Sequence, residues 1–97
     1  MNHTSLDAQV IERGAMRYTP AGLPALDLTL RHESTASEAG MARKVALELK
    51  ALGIGPVTKQ LGSIAVGSAA RFSGFLATAR NGRGVVLHIT EVRTASI

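Results

Sequence analysis

Cysteine is absent from this 97-residue chain, which rules out both a disulfide framework and a thiolate metal site. Tryptophan is absent too, and the aromatics are Tyr18, Phe72 and Phe75 alone. The core must therefore be built from Leu, Val, Ile and Ala. No apolar run approaches the roughly 20 residues a membrane-spanning helix needs. Met1-Asn2-His3-Thr4-Ser5 lacks the basic segment and apolar run of a signal peptide. These absences predict a soluble, intracellular protein with no membrane partner. Acidic side chains are scarce in one half only. Residues 1–49 carry five basic and six acidic groups, a balance of −1; residues 50–97 carry six basic groups against Glu91, a balance of +5. A basic half suits a polyanionic partner. It equally describes the solvated surface of a basic protein.

What is present fits one small domain over residues 1–97. The apolar content of 45% and charged content of 19% exclude wholesale disorder. Residues 1–5 are the least ordered candidates. Ser34 to Gly40, small and polar, reads as a loop, extended here to 34–42. Tyr18-Thr19-Pro20-Ala21-Gly22-Leu23-Pro24 is a turn. Leu26, Leu28 and Leu30 then alternate with Asp27, Thr29 and Arg31, the period of a half-buried strand. Its antiparallel partner is expected before the turn, over about Leu6 to Arg17.

Met41 to Leu52 is ambiguous. Met41, Val45, Leu49 and Leu52 fall at helical spacing, whereas Val45, Leu47 and Leu49 alternate as in a strand. Gly53-Ile54-Gly55-Pro56 breaks the segment, and Val57 to Ile64 suits a short helical turn. A second strand pair follows. Ala70, Phe72, Gly74 and Leu76 share one face; Asn81-Gly82 is a hairpin dipeptide. Beyond it Val85, Leu87 and Ile89 face one way, with Val86, His88, Thr90 and Val92 opposite. About five strands in under 100 residues predict an all-β barrel, which leaves no bare sheet edges.

No catalytic constellation and no phosphate-binding G-x-x-x-x-G-K-[ST] loop stands out, so an enzyme and a bound cofactor are not expected. His32-Glu33 and His88 are the only plausible metal or acid–base pieces. Polar strand positions account for them better than a metal site does. Arg17 enters the first turn, and Arg80 and Arg83 flank Asn81-Gly82. Such positions suit phosphate neutralisation, or simply loop tips where Arg is common.

Certain segments resemble a known family. Arg17-Tyr18-Thr19-Pro20-Ala21-Gly22-Leu23-Pro24, Leu28-x-Leu30-x-His32-Glu33-Ser34, Glu38-Ala39-Gly40, Ile64-x-Val66-Gly67-Ser68, Gly74-Phe75-Leu76-Ala77 and Val86-Leu87-His88-Ile89 are similar to the primosomal replication protein N (PriB) family. The likeness spans about residues 6 to 93. The P-x-G-x-P turn is shared with the related single-stranded DNA-binding proteins, SSB. The Leu-x-His-Glu-Ser and Leu-His-Ile segments point more narrowly. The chain also stops at Ile97, without the Gly- and Pro-rich tail usual in SSB.

The resemblance implies a five-stranded OB-fold Greek-key barrel with the helical turn between strands 3 and 4. It makes residues 44–52 the third strand. It implies a homodimer that binds single-stranded DNA and bridges the PriA helicase and DnaT in replication restart, with SSB a further partner. The first strand, near Leu6 to Ile11, is the expected dimer interface. DNA-contact positions carry over as Arg17 in the first loop, Arg80 in the 4–5 loop and, more loosely, Arg83. The family's aromatic platforms fall at Ala46 and Met41, so both are missing. Arg43 and Lys44 complete the expected cationic track, with Lys50 and Arg71 as second choices. Tyr18 stacks a base or packs on the core. Two other functions stay open: a protein–protein adaptor whose DNA binding is weak or lost, and an RNA- or ribosome-associated OB protein.

Overall fold

A computed structural model describes residues 1–94. Its elements are β1 (Thr4–Arg13), β2 (Arg17–Tyr18), β3 (Pro24–Glu38), β4 (Met41–Ile54), α1 (Val57–Gly62), β5 (Ala69–Thr78) and β6 (Val85–Thr94). The sheet runs β1-β5-β6-β4-β3-β2, and an additional β1–β3 pairing closes it into a barrel. Setting aside the two-residue β2, five strands close the barrel. All pairs are antiparallel except β4 with β6. That is the Greek-key OB-fold, and α1 lies between its third and fourth barrel strands.

Alternation decides what lies inside. Leu26, Leu28 and Leu30 of β3 join Ala8, Val10, Ala51, Ala70, Phe72, Leu87 and Ile89 in one core. The short α1 adds Leu61, fully buried, and Ile64 just beyond it packs in the same core. Arg13 donates to the Ile64 carbonyl, tying the segment after the helix to β1. The competing periodicity of residues 41–52 resolves as strand. β4 pairs continuously with β3 from Glu38↔Met41 to Ala25↔Ile54, and those cross-strand contacts outweigh a local helix preference of a few tenths of a kcal/mol per residue.

Three expectations need correction. The loop placed at 34–42 is strand on both sides of a two-residue turn, Ala39-Gly40. Both turn residues have positive φ, 53° and 77°, as a type I′ hairpin requires. The small polar composition there reflects an exposed two-stranded arm, away from the core, rather than irregular backbone. Residues 1–5 are not uniformly loose. Thr4 and Ser5 pair with Gly74 and Ser73. The Asn2 side-chain amide donates to the Leu76 carbonyl at 2.7 Å and its oxygen accepts from the Leu76 N–H at 3.0 Å. Val92 does not share the face of Val86 and His88. Ser73 pairs with Glu91 but Gly74 pairs with Ile89, so Thr90 is an extra residue. This bulge flips the alternation and turns Val92 into the core.

On the outer face of β1 and β5, Arg71 makes two hydrogen bonds to Asp7, 2.8 and 3.1 Å. The hydrogen bond and charge of Arg71 hold the Asp7 carboxyl below its ordinary value of 3.8. A lowered native pKa means the pair stabilises the fold above the unfolded-state value and loses that effect as pH falls through the native one. We therefore expect Asp7→Asn to flatten the wild type's loss of melting temperature between about pH 5 and about pH 3. The effect is small because both side chains are exposed. Identical acid sensitivity in the two proteins would remove this pair from the acid response.

Candidate nucleic-acid interface

Strand register fixes which side chains share the outer face of β3, β4 and β6. On β4 these are Lys44, Ala46, Glu48, Lys50, Leu52 and Ile54, opposite Thr35, Glu33, Arg31, Thr29, Asp27 and Ala25 of β3. On β6 they are Val86 and His88, since His88 pairs with Leu52. The missing aromatic position, Ala46, is on this face beside Lys44.

The two loops that frame this face lie at opposite ends of it. Arg17 and Tyr18 of β2 pair with Ala25 and Pro24, level with Ile54 at the C-terminal end of β4. The loop after Thr78, holding Arg80 and Arg83, precedes Val85. Because β6 runs parallel to β4, that loop reaches towards the Lys44 end of β4. From Ile54 to Lys44 is ten residues, roughly 33 Å of strand. The loop itself is closed by the Ala79–Gly84 and Gly82–Ala79 backbone bonds and by Asn81 accepting from Arg83 N–H at 2.9 Å. Both its arginines are at the rim and no helix covers them.

Proximity sorts the expected cations into two groups. Lys44, Arg80 and Arg83 share one end, with Lys50 midway along the same face. Arg17 and Tyr18 stand at the other end and are not brought together with them. Ion pairing sorts the cations again. Arg17 is bidentate to Asp27 at 2.9 and 3.2 Å. That hydrogen bond, then the Asp27 charge, holds its guanidinium above the usual range. Arg43 is paired with Glu38 at 2.7 Å and sits on the opposite face of the arm from Lys44, by alternation. Arg71 is occupied by Asp7 on the β1–β5 side. Among the described residues, Lys44, Arg80 and Arg83 have no carboxylate within ion-pair distance. Lys50 donates to the Thr29 hydroxyl at 3.0 Å, which holds its ammonium on the face without neutralising it.

Tyr18 is exposed, 69%, so it does not pack in the core. His32 bonds the Asp7 carbonyl at 2.6 Å and the Ser34 hydroxyl at 2.8 Å, a satisfied strand histidine. A shallow groove lined by Glu33, Ser34, Thr35, Lys44, Val45 and Ala46 crosses the arm. A pair that reading by position did not single out lies on β5 and β6. Phe75 and His88 are stacked on the outer face, centroids 4.9 Å apart and planes 5° apart. Their signal was present in the period-two alternation, which put both residues on the face away from Phe72 and Leu87.

Known proteins resemble this chain in sequence and fold. A family model described as another single-strand binding protein family matches residues 2–91. The replication restart protein PriB of Bordetella pertussis is 46% identical over 94 residues, covering 96% of this chain and 88% of the relative. The structure of PriB from Ralstonia solanacearum superposes with a TM-score of 0.89 at 38% identity, covering 99% of each chain. The single-stranded DNA binding protein of Thermus aquaticus superposes with a TM-score of 0.76 at 24% identity, over 99% of this chain and 50% of that one; it shares the fold. An OB barrel whose outer face is framed by segments carrying Arg17, Arg80 and Arg83, with this degree of likeness over nearly its full length, places the chain in the PriB family of replication restart proteins, within the single-strand-binding family that its residues 2–91 match.

Proposed function

We propose that this protein holds single-stranded DNA across the outer face of β3 and β4, by phosphate contacts, as a non-catalytic part of replication restart. The observation that carries this is the set of four cations without carboxylate partners among the described residues, Lys44, Lys50, Arg80 and Arg83, along one framed face. Arg17 acts here by covering Asp27, a carboxylate that would otherwise repel the strand on the same face. Arg43 and Tyr18 have secondary roles, Arg43 through the arm and Tyr18 as an exposed ring at the far end. The family likeness supports the finer reading of a homodimer that bridges a PriA-type helicase and DnaT, with SSB as a neighbour. The dimer edge we favour is the N-terminal half of β1. Thr4 to Gln9 pairs with β5 on one side, whereas β3 pairing on the other begins only at Gln9.

A labelled oligothymidylate titration tests the reading. Four phosphate contacts predict that log K falls against log salt with a slope of about −3. Arg17→Ala is expected to weaken binding by up to roughly fivefold, the range of an exposed ion pair, and Arg17→Ala/Asp27→Asn to restore most of it. An affinity that does not change with salt would overturn the phosphate track. A lasting loss in the double variant would make Arg17 a direct contact.

One observation favours a second reading, the adaptor. The arm's other face carries Met41 and Leu47, both exposed, with half-buried Val45 between them. Saturable binding to the helicase in a buffer where the oligonucleotide does not bind would favour that role.

A further inference from the structure

We infer that Phe75 and His88 form a nucleobase-stacking site on the outer face of the barrel, a site that rests on the single-stranded DNA reading above. The chain has three aromatic residues. Phe72 fills the core, fully buried, while Tyr18 and Phe75 are turned outward, 69% and 40% exposed. At 40% exposed, the Phe75 ring forfeits part of the roughly 1.5–3 kcal/mol that full burial is worth. What it does have is a partner. Phe75 and His88 pair directly across β5 and β6, and the 4.9 Å between ring centroids matches the roughly 4.8 Å spacing of neighbouring strands. The rings therefore stand on edge, like cards, with planes nearly parallel.

The pair belongs to a row that crosses four strands: Phe75, His88, Leu52 and Asp27. Leu52 gives the row an apolar continuation beside the imidazole. One step along the same face are Val86 and Lys50, level with each other on β6 and β4. One step the other way is Arg17, level with Ala25 and paired to the row's own Asp27. A strand whose phosphates follow Lys50 towards the Lys44 end thus passes its bases over this row. Every base has a π-face, so a base that stands edge-down between Leu52 and His88 extends the ring stack on the free face of the imidazole without reading sequence. The site replaces, on β5 and β6, the aromatic platforms that the chain lacks at Ala46 and Met41.

The register that makes the stack is fixed by the backbone. The extra residue Thr90 resets β6 just beyond the pair, and Gly74 lets β5 lie against the His88 carbonyl, where a Cβ would sit 1.8 Å away. Phe75 is thereby held opposite His88 rather than one residue off.

The experiment measures wild type, Phe75→Leu and His88→Leu against oligothymidylate, and wild type against an abasic oligonucleotide of equal length. Leucine keeps an apolar side chain at each position and removes the ring. Removing one platform should weaken binding by between about 5-fold and about 150-fold, the range for one stacked base, with the salt slope unchanged because no phosphate contact is lost. A 2-aminopurine placed within the oligonucleotide should be quenched by wild type and less so by either variant. Wild type should bind the abasic strand more weakly by a similar factor. Equal affinity of the leucine variants with a normal salt slope would overturn the stacking site and leave the phosphate track standing. Should a variant melt early, equal wild-type affinity for abasic and thymidine strands overturns it instead. No binding by wild type would sink the DNA reading and this site with it.

Discussion

Gly74→Ala is expected to lower the melting temperature by roughly 12–24 °C, the equivalent of about 3 kcal/mol in a domain of this size. A Cβ on residue 74 would lie 1.8 Å from the His88 carbonyl oxygen, 2.8 Å from its carbon and 3.2 Å from the Ile89 Cα. All three are backbone atoms, so no side chain can swing aside. Neither strand is free to retreat. β6 is pinned on its far side by the parallel pairing of Leu87 to Ile89 with Ala51 to Gly53. β5 is pinned on its far side by β1. Relief must come from opening ladder hydrogen bonds, each worth about 0.5–1.5 kcal/mol net. That places the cost at or above the top of the usual overpacking range of about 1–3 kcal/mol. Gly62→Ala is the control. A Cβ there meets nothing within 4 Å, and alanine is the better helix former by about 1 kcal/mol. If circular dichroism melts of the two variants agree within about 3 °C, β5 and β6 do not approach as described.

Gly74 also shows how much of the fold could be read before the structure. The alternation of Ala70, Phe72, Gly74 and Leu76 put residue 74 on the inner face, as observed. It could not say that another strand's carbonyl lay against it. The same limit explains Val92. A strict period of two assigns it outward, and only the pairing of β5 with β6 shows that Thr90 is an extra residue. For Met41 to Leu52, local propensity leaned slightly towards helix, and the family likeness favoured strand instead. The stretch from Ser34 to Gly40 misled because exposed strand and loop share a polar composition. The arm is strand because β3 and β4 pair with each other, a fact of register rather than composition.

The candidate site was legible in charge and less so in geometry. Counting cations along the chain found the basic half and both arginines of the 79–84 loop. It could not see that Asp27 is two residues from the partner of Arg17 on the same face, or that Glu38 would reach Arg43. Sequence spacing carries no cross-strand pairing, so neutralised and free arginines look alike until the register is known. Phe75 and His88 stand thirteen residues apart and became neighbours only through the hairpin between them.

Lys44→Ala/Arg80→Ala/Arg83→Ala is expected to cost the largest share of DNA affinity while leaving the fold intact. All three side chains are exposed and none is in an ion pair among the described residues. Surface substitutions of this kind change stability by about 0.5 kcal/mol or less, so the melt should barely move. Each phosphate contact contributes about 0.7 to the slope of log K against log salt on a single strand. Losing three should reduce the slope by about 2. If such contacts contribute nothing near 1 M salt, affinity should fall by about 500-fold at 50 mM and about 30-fold at 200 mM. The two numbers must shrink together towards high salt, which no loss of stacking or of folding would imitate. Retention of both wild-type slope and affinity would show that the strand runs elsewhere on the barrel. A fall in affinity at unchanged slope would mean that these side chains act through the shape of the loop and arm rather than through their charge. The Phe75 and His88 variants are expected to give the converse, weaker binding at every salt concentration with the wild-type slope. The two sets of variants together therefore separate the phosphate track from the base platform within one titration format.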